Sequence, residues 1–206
     1  MTMLPETCSG ADEATFVRPT GARSDRIHQA ILDATSELLD EGGFPAATVD
    51  AIAARSGASK ATIYKHWPSR TAVAAEAFGT MMAQALPLPD TGSAAGDLTE
   101  QVVRVSAFYA SARGAVFAQL LAACVDDPAG AMYFRDYFLS GRRAAITTLW
   151  QRAVDRGEVD ANVDINDVID ILFGPLIFRR MTGHYALTEG HARRLAETAL
   201  RGLSLS

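Results

Sequence analysis

Cysteine, lysine and long apolar runs are all scarce in this chain of 206 residues. Its two cysteines, Cys8 and Cys124, make neither a disulfide framework nor a metal-ligand spacing, so a reducing, cytoplasmic setting is expected. No apolar stretch approaches the roughly 18 residues of a membrane span, and the first residues lack the basic start and apolar centre of a secretion signal. A soluble protein with no membrane partner is the expectation. The four histidines, His28, His66, His184 and His191, are scattered. Glycines and a helix break separate or flank the last two, so no shared metal site is expected. No paired-carboxylate, glycine-rich phosphate or nucleophile motif occurs, which speaks against a small helical enzyme and calls for no cofactor.

The shortage of lysine is the most informative of these. Only Lys60 and Lys65 occur, both within Ser59-Lys60-Ala61-Thr62-Ile63-Tyr64-Lys65-His66-Trp67; every other strong base is arginine. The chain carries a formal net charge of -5. Between Phe44 and Arg70, however, Arg55, Lys60, Lys65 and Arg70 stand against Asp50 alone, 4 - 1 = +3. A polyanion meets one face of a protein and not its average, so this segment points to DNA. The acidic remainder argues against a sequence-independent DNA-compacting protein.

What is abundant is helix pattern. Hydrophobic residues make up 49% and charged residues 21%, enough to bury a core without staples. Residues 1–22 read as a flexible arm, with prolines and glycines and no apolar period. Ser24 is placed to cap a helix striped by Ile27, Ile31, Ala34 and Leu38, which Gly42 and Gly43 should stop. Thr48 then caps a short helix with Val49, Ile52 and Ala53 inward, and Gly57 supplies its left-handed ending. Ser59 caps a second short helix with Ile63 and Trp67 inward. Pro68 ends it, and Ser69 caps a helix from about 70 to 86. Two short helices around a glycine turn have the form of a helix-turn-helix. Residues 87–96 read as a linker. Longer helices are expected over about 97–112, 113–125, 129–156, 165–182 and 189–203, giving an all-α chain with domains over 23–86 and 97–206.

The words Ile31-Leu32-Asp33-Ala34, Glu41-Gly42-Gly43-Phe44, Thr48-Val49-Asp50-Ala51-Ile52-Ala53, Ser56 to Trp67 and Ser69-Arg70 closely resemble the amino-terminal domain of the TetR family of bacterial transcriptional regulators. The stretch Arg156-Gly157-Glu158-Val159, with Asp164-Ile165-Asn166-Asp167 and Leu172-Phe173-Gly174-Pro175-Leu176, resembles the carboxy-terminal domain of one large subgroup. The resemblance implies a regulator, commonly a repressor, that binds a palindromic double-stranded operator as a homodimer and is released by a small-molecule effector. Two positions depart from the commoner pattern. Trp67 stands where Phe is usual, and Lys65 where many members have Tyr or Arg; the second should alter base preference, because lysine donates to guanine O6 or N7.

By this resemblance and by helical geometry, Thr48, Ser59, Tyr64 and His66 are expected to contact phosphate. Lys60, Thr62 and Lys65 are expected to reach base edges, with Ala61 keeping the backbone close and Arg70 near the strand. Arg18, Arg23 and Arg26 could serve the minor groove. The resemblance also places an effector pocket in the second domain, for which Phe108, Phe117, Leu121, Cys124, Trp150 and Phe173 are candidates. It implies a dimer seam on the last two helices, with Ile169, Phe173, Leu176, Ile177 and Arg180 along one and Leu195, Ala199 and Leu203 along the other. A hydrophobic or aromatic effector is the default expectation for such a pocket.

Overall fold

The computed structural model describes residues 18–83 and 88–203, with the side chain of Leu203 excluded. Most of the predicted arm therefore lies outside the described residues. So does the predicted end of the fourth helix, at 84–86.

Among the described residues there is helix and no strand. In chain order the helices are α1 (Ala22–Ala46), α2 (Val49–Ser56), α3 (Lys60–His66), α4 (Arg70–Met81), α5 (Ala94–Ala110), α6 (Ala112–Ala123), α7 (Pro128–Phe134), α8 (Ser140–Asp155), α9 (Ile165–Thr182) and α10 (Glu189–Leu203). A π-helical turn, Arg135–Leu139, joins α7 to α8. The single helix expected over 129–156 is thus continuous but carries one wide turn.

Local chemistry accounts for most of the boundaries. The side chains of Thr48, Ser59, Ser69, Ser93, Ser111, Asp127 and Asp164 each accept a hydrogen bond from a backbone N–H in the following first turn, supplying an acceptor to donors that have none within the helix. Gly57 closes α2 at φ 71°, a conformation glycine adopts without steric cost. Ser24 does not cap as expected. Helix α1 begins at Ala22, and the Ser24 hydroxyl donates to Pro19 O at 3.0 Å. Gly43, at φ 69° and ψ -166°, breaks α1 without ending it, and a last turn runs on to Ala46.

One contiguous core passes through both halves of the chain. Helix α4 is its spine: every residue from Thr71 to Gly79 is buried, because α1 covers one side and α7 with the π turn the other. Helix α6 also meets α1, while α5 packs on α8, α9 and α10. The linker is pinned by the sequence motif that follows α8. Asp97, fully buried, accepts from the Thr91 N–H at 2.6 Å and from Arg156 Nη2 at 3.2 Å. Burial alone would raise the Asp97 pKa, but these donors outweigh it and hold the carboxyl below its usual range. Glu158 in turn accepts from the Ala94 N–H at the start of α5.

Candidate nucleic-acid interface

The two short helices present one apolar face and one polar face. Ala47, Ile52, Ile63 and Trp67 are at most 1% exposed, so α2 and α3 are seated on the core by a few large side chains. Ser59 fixes the start of α3: its Oγ accepts from Thr62 N at 3.1 Å and lies 2.8 Å from Thr62 Oγ1. The Trp67 backbone N–H closes the other end on Ile63 O at 2.9 Å. With both ends held, Lys60, Ala61, Tyr64 and Lys65 face outward and are exposed, Tyr64 by 50%. Thr62 is half-buried. Thr48 is exposed at the head of α2, its hydroxyl accepting from Ala51 N at 3.1 Å.

The basic residues counted in the sequence are not equivalent in space. Arg55 turns back to α1, with Nη1 2.7 Å from Glu41 and 3.6 Å from Glu37. Lys60 is paired with Asp50 of α2, and the hydrogen bond it donates to that carboxylate raises the lysine pKa. Lys65 has no ion-pair partner among the described residues. The local excess of charge is therefore delivered mainly by Lys65, with Lys60 held beside it in a pair.

One expected phosphate contact, His66, and one residue expected near the strand, Arg70, are engaged within the fold instead. His66 is only 3% exposed. Its ring lies 5.5 Å from that of Trp67 and 5.6 Å from that of His28, with Nε2 3.4 Å from Ser24 Oγ. Burial first, then the neighbouring His28, lower its pKa, which favours a neutral ring inside the fold and not a cation on a DNA strand. The reason is register: His66 stands three residues after Ile63, on the inward side of α3. Arg70 is likewise occupied. Its Nε donates to Ala47 O at 2.9 Å, its Nη2 donates to Phe44 O, and its guanidinium lies 4.0 Å from the Phe44 ring centroid. It joins the end of α1 to the start of α4. Arg18 pairs with Asp25 at 3.3 Å, while Arg23 and Arg26 are exposed.

In the second half, Phe108 and Phe117 come together at 6.4 Å, within a cluster that includes Tyr109, Phe134, Phe138 and Phe78. Among the described residues no ring contact joins Trp150 or Phe173 to it. Phe117, Trp150 and Phe173 are buried in the core, whereas Phe108, Leu121 and Cys124 are half-buried. Burial and the nearby Asp127 push the Cys124 thiol pKa up, opposing thiolate formation. A separate open recess of about 190 Å³ is lined by Ala110, Arg179, Arg180, Gly183, Tyr185 and Leu187, none of them among the expected pocket residues.

Of the residues expected along a dimer seam on α9, Ile169, Phe173 and Leu176 are buried within the chain's own core, at 8%, 7% and 0% exposure, which leaves them little surface for a partner. Ile177 and Arg180 are half-buried, and Arg180 Nε donates to Gly114 O at 3.1 Å. On α10, Leu195 and Ala199 are half-buried, and the side chain of Leu203 lies outside the described residues. The apolar residues that do face out are Ile171 at 44%, Phe178 at 60% and Met181 at 43%. Gly174 lies between the first two, with open space where a Cβ would stand. Their spacing of seven residues across Gly174-Pro175 was the available sequence signal.

Comparison with known proteins agrees with this architecture along nearly the whole chain. Residues 31–77 match a family profile described as bacterial regulatory proteins, tetR family, and residues 88–199 match one described as tetracyclin repressor-like, C-terminal domain. The HTH-type transcriptional regulator YdeS of Bacillus subtilis (strain 168) is 35% identical over 181 residues, covering 88% of this chain and 91% of that protein. The crystal structure of the TetR family transcription regulator SCO0332 superposes with a TM-score of 0.73 at 27% identity, over 87% of this chain and 100% of the other. A transcriptional regulator, FadR of Bacillus subtilis, solved in complex with stearoyl-CoA, has the same fold. Its TM-score is 0.58 at 17% identity, covering 86% of this chain and 100% of that one.

Proposed function

Because this chain belongs to the TetR family, and is therefore a DNA-binding transcriptional regulator and not an enzyme, we propose that it binds a palindromic operator as a homodimer, represses transcription there, and is released by a small organic effector. The observation that carries this reading is the exposed row Lys60, Tyr64 and Lys65 on α3, whose opposite face is fixed in the core by Ile63 and Trp67. A short helix held at both ends presents side chains to a major groove in a defined pose. Thr48, Ser59 and Tyr64 supply hydroxyls for phosphate, which set register. Lys60, Thr62 and Lys65 supply donors for base edges, which set sequence.

Dimerisation is supported by the outward apolar stripe Ile171, Phe178 and Met181 on α9, since exposed apolar patches of this kind mark interaction surfaces. It also follows from the requirement for specificity, because one seven-residue helix reads too few base pairs alone. An effector acts by linkage: a ligand that prefers the conformation with wrongly spaced recognition helices lowers operator affinity by its differential affinity. The ring-rich second domain suits an apolar or aromatic compound, and FadR, which shares this fold, is solved with stearoyl-CoA, a ligand with a long apolar acyl chain.

The test is selection of a duplex by the full-length protein from a randomised library, then fluorescence anisotropy on the selected and a scrambled duplex across a salt series. A two-fold symmetric selected site bound far more tightly than the scrambled one supports the proposal. Equal affinity for both, with the same salt slope, would count against specific regulation.

A further inference from the structure

The connection between α9 and α10 folds back over two arginines that carry no countercharge. Gly183 ends α9 in the left-handed conformation, at φ 65°, with its N–H on Arg179 O at 2.9 Å, and so turns the chain sharply. Tyr185 is thereby returned over the last turn of α9, where its ring centroid lies 4.9 Å from the Arg179 guanidinium carbon. The corner between α5 and α6 approaches the same turn: Arg180 Nε donates to Gly114 O at 3.1 Å. Here lies the recess of about 190 Å³, with both arginines, Tyr185 and the apolar Ala110 and Leu187 on its wall.

Two features of this recess call for an anion. Neither arginine has an ion-pair partner among the described residues, although arginine keeps its charge inside proteins. Arg179 Nη1, moreover, is shielded from solvent and meets no hydrogen-bond acceptor among them. Buried polar atoms are nearly all paired, and one that is not costs the desolvation of its group. Cations at the end of α9 gain from the helix dipole, but that field gives Nη1 no acceptor. A carboxylate does, because its two oxygens match the parallel N–H bonds of a guanidinium edge. The cover over Arg179 is Tyr185, 50% exposed on an interhelical connection, so a small rotation of that ring opens Nη1 to an entering acceptor. The walls fix the rest of the ligand. Inorganic phosphate would leave Ala110, Leu187 and the Tyr185 ring without a partner, whereas an aromatic or short alkyl body lies against them. The volume is below the roughly 300 to 1,000 Å³ of pockets for drug-sized ligands, which limits that body to about one ring.

We propose that this recess binds a small aromatic or short-chain monocarboxylic acid through Arg179 and Arg180, and that this acid is the effector. The route to the operator is short. Arg180 holds the first turn of α6 through Gly114 O, Arg113 on that turn stands 3.5 Å from Asp40 of α1, and Gln119 further along α6 accepts from the Phe44 N–H at 2.8 Å. Phe44 lies in the last turn of α1, just before the Thr48 cap of the helix-turn-helix. An acid that draws Arg180 from Gly114 O releases the turn of α6 on which the end of α1 is seated.

This inference rests on the chain being an effector-released operator binder, and the experiment separates the two. Full-length protein is titrated with benzoate, hexanoate, benzamide and inorganic phosphate by calorimetry, and each compound is then added to the complex with the library-selected duplex while anisotropy is read. Arg179→Gln and Tyr185→Ala are carried alongside with thermal melts; the second changes an exposed side chain, so it carries the test if the first does not fold. Expected are saturable binding of benzoate or hexanoate and none of benzamide or phosphate, a loss of about tenfold or more in Arg179→Gln and a smaller loss in Tyr185→Ala, and operator affinity lowered about fivefold or more by the bound acid. No saturable binding of either carboxylate, equal binding of benzamide, binding of phosphate in their place, or carboxylate binding undiminished in every folded variant overturns the site. Carboxylate binding with operator affinity unchanged overturns its role as the effector site. A chain that binds benzoate as described but prefers no duplex would instead remove the operator reading.

Discussion

The Lys60 ammonium is paired with the Asp50 carboxylate, so the first basic side chain of α3 is tied to the helix that precedes it. Both groups are exposed. An exposed pair of this kind contributes little to folding, but it decides how much positive charge the interface offers to DNA. Asp50→Asn should free Lys60 and raise affinity for scrambled duplex several-fold at low salt, steepening the slope of log affinity against log salt by about one charge. Anisotropy titrations across a salt series measure this, and thermal melting should be nearly unchanged.

Lys65 is the outward lysine of α3 that has no ion-pair partner among the described residues. Lys65→Ala and Lys60→Ala should each weaken binding to the selected duplex by about 1–3 kcal/mol, with the base preference relaxed at the contacted position. Tyr64→Phe should cost less, since only a hydroxyl is lost. Repeating the library selection with each variant shows whether specificity or only affinity has changed.

Arg70 is a clamp between α1 and α4 through Ala47 O, Phe44 O and the Phe44 ring. Arg70→Ala removes a charged donor from two backbone acceptors, and should lower unfolding free energy by about 1–3 kcal/mol. Urea denaturation reads this loss. If Arg70 served DNA instead, operator affinity would fall while the denaturation midpoint stayed in place.

His66 carries a pH prediction. Its pKa in the folded protein lies below the ordinary imidazole value of about 6.5. As pH falls through that value the unfolded chain takes up the proton first. The stability associated with the neutral ring is complete above about pH 6.5 and is lost as pH drops toward the lowered folded value. His66→Phe should remove this part of the dependence, so melting curves of the two proteins should converge in shape near neutrality and separate below pH 6.5.

Phe178 is 60% exposed on the outward stripe of α9. Phe178→Glu should yield a monomer by analytical ultracentrifugation at micromolar concentration with little loss of folding stability, and selected-duplex affinity should fall with it. Leu176→Glu, by contrast, places a charge at a fully buried position and should unfold the domain.

Legibility from sequence followed the range of the interaction. The caps at Thr48, Ser59 and Ser69 and the left-handed Gly57 were readable because each acts on backbone within a few residues of itself. Helices α5, α6, α9 and α10 were readable to within a few residues from their periodicity, and α7 and α8 as one span without the π turn between them. Ser24 was misread because partners outside its own first turn lie within its reach: its hydroxyl donates to Pro19 O and stands 3.4 Å from His66 Nε2. The outward apolar residues of α9 were not singled out because a helix with apolar residues on several sides does not reveal which side its own chain covers.

Composition, capping and period by themselves determined that this chain is all-helical, that it holds a helix-turn-helix, and that its scarce lysines lie on one short helix. These follow from backbone donors, apolar spacing and local charge, which are properties of neighbouring residues. Only the tertiary structure decided which of those charges remain for DNA. Arg55, Lys60 and Arg70 meet Glu41, Asp50 and two backbone carbonyls, and the ring of His66 stands beside that of His28 on α1. Each of those partners except Asp50 comes from outside α2 and α3, so its distance was unknown until α1 and α4 had packed around them.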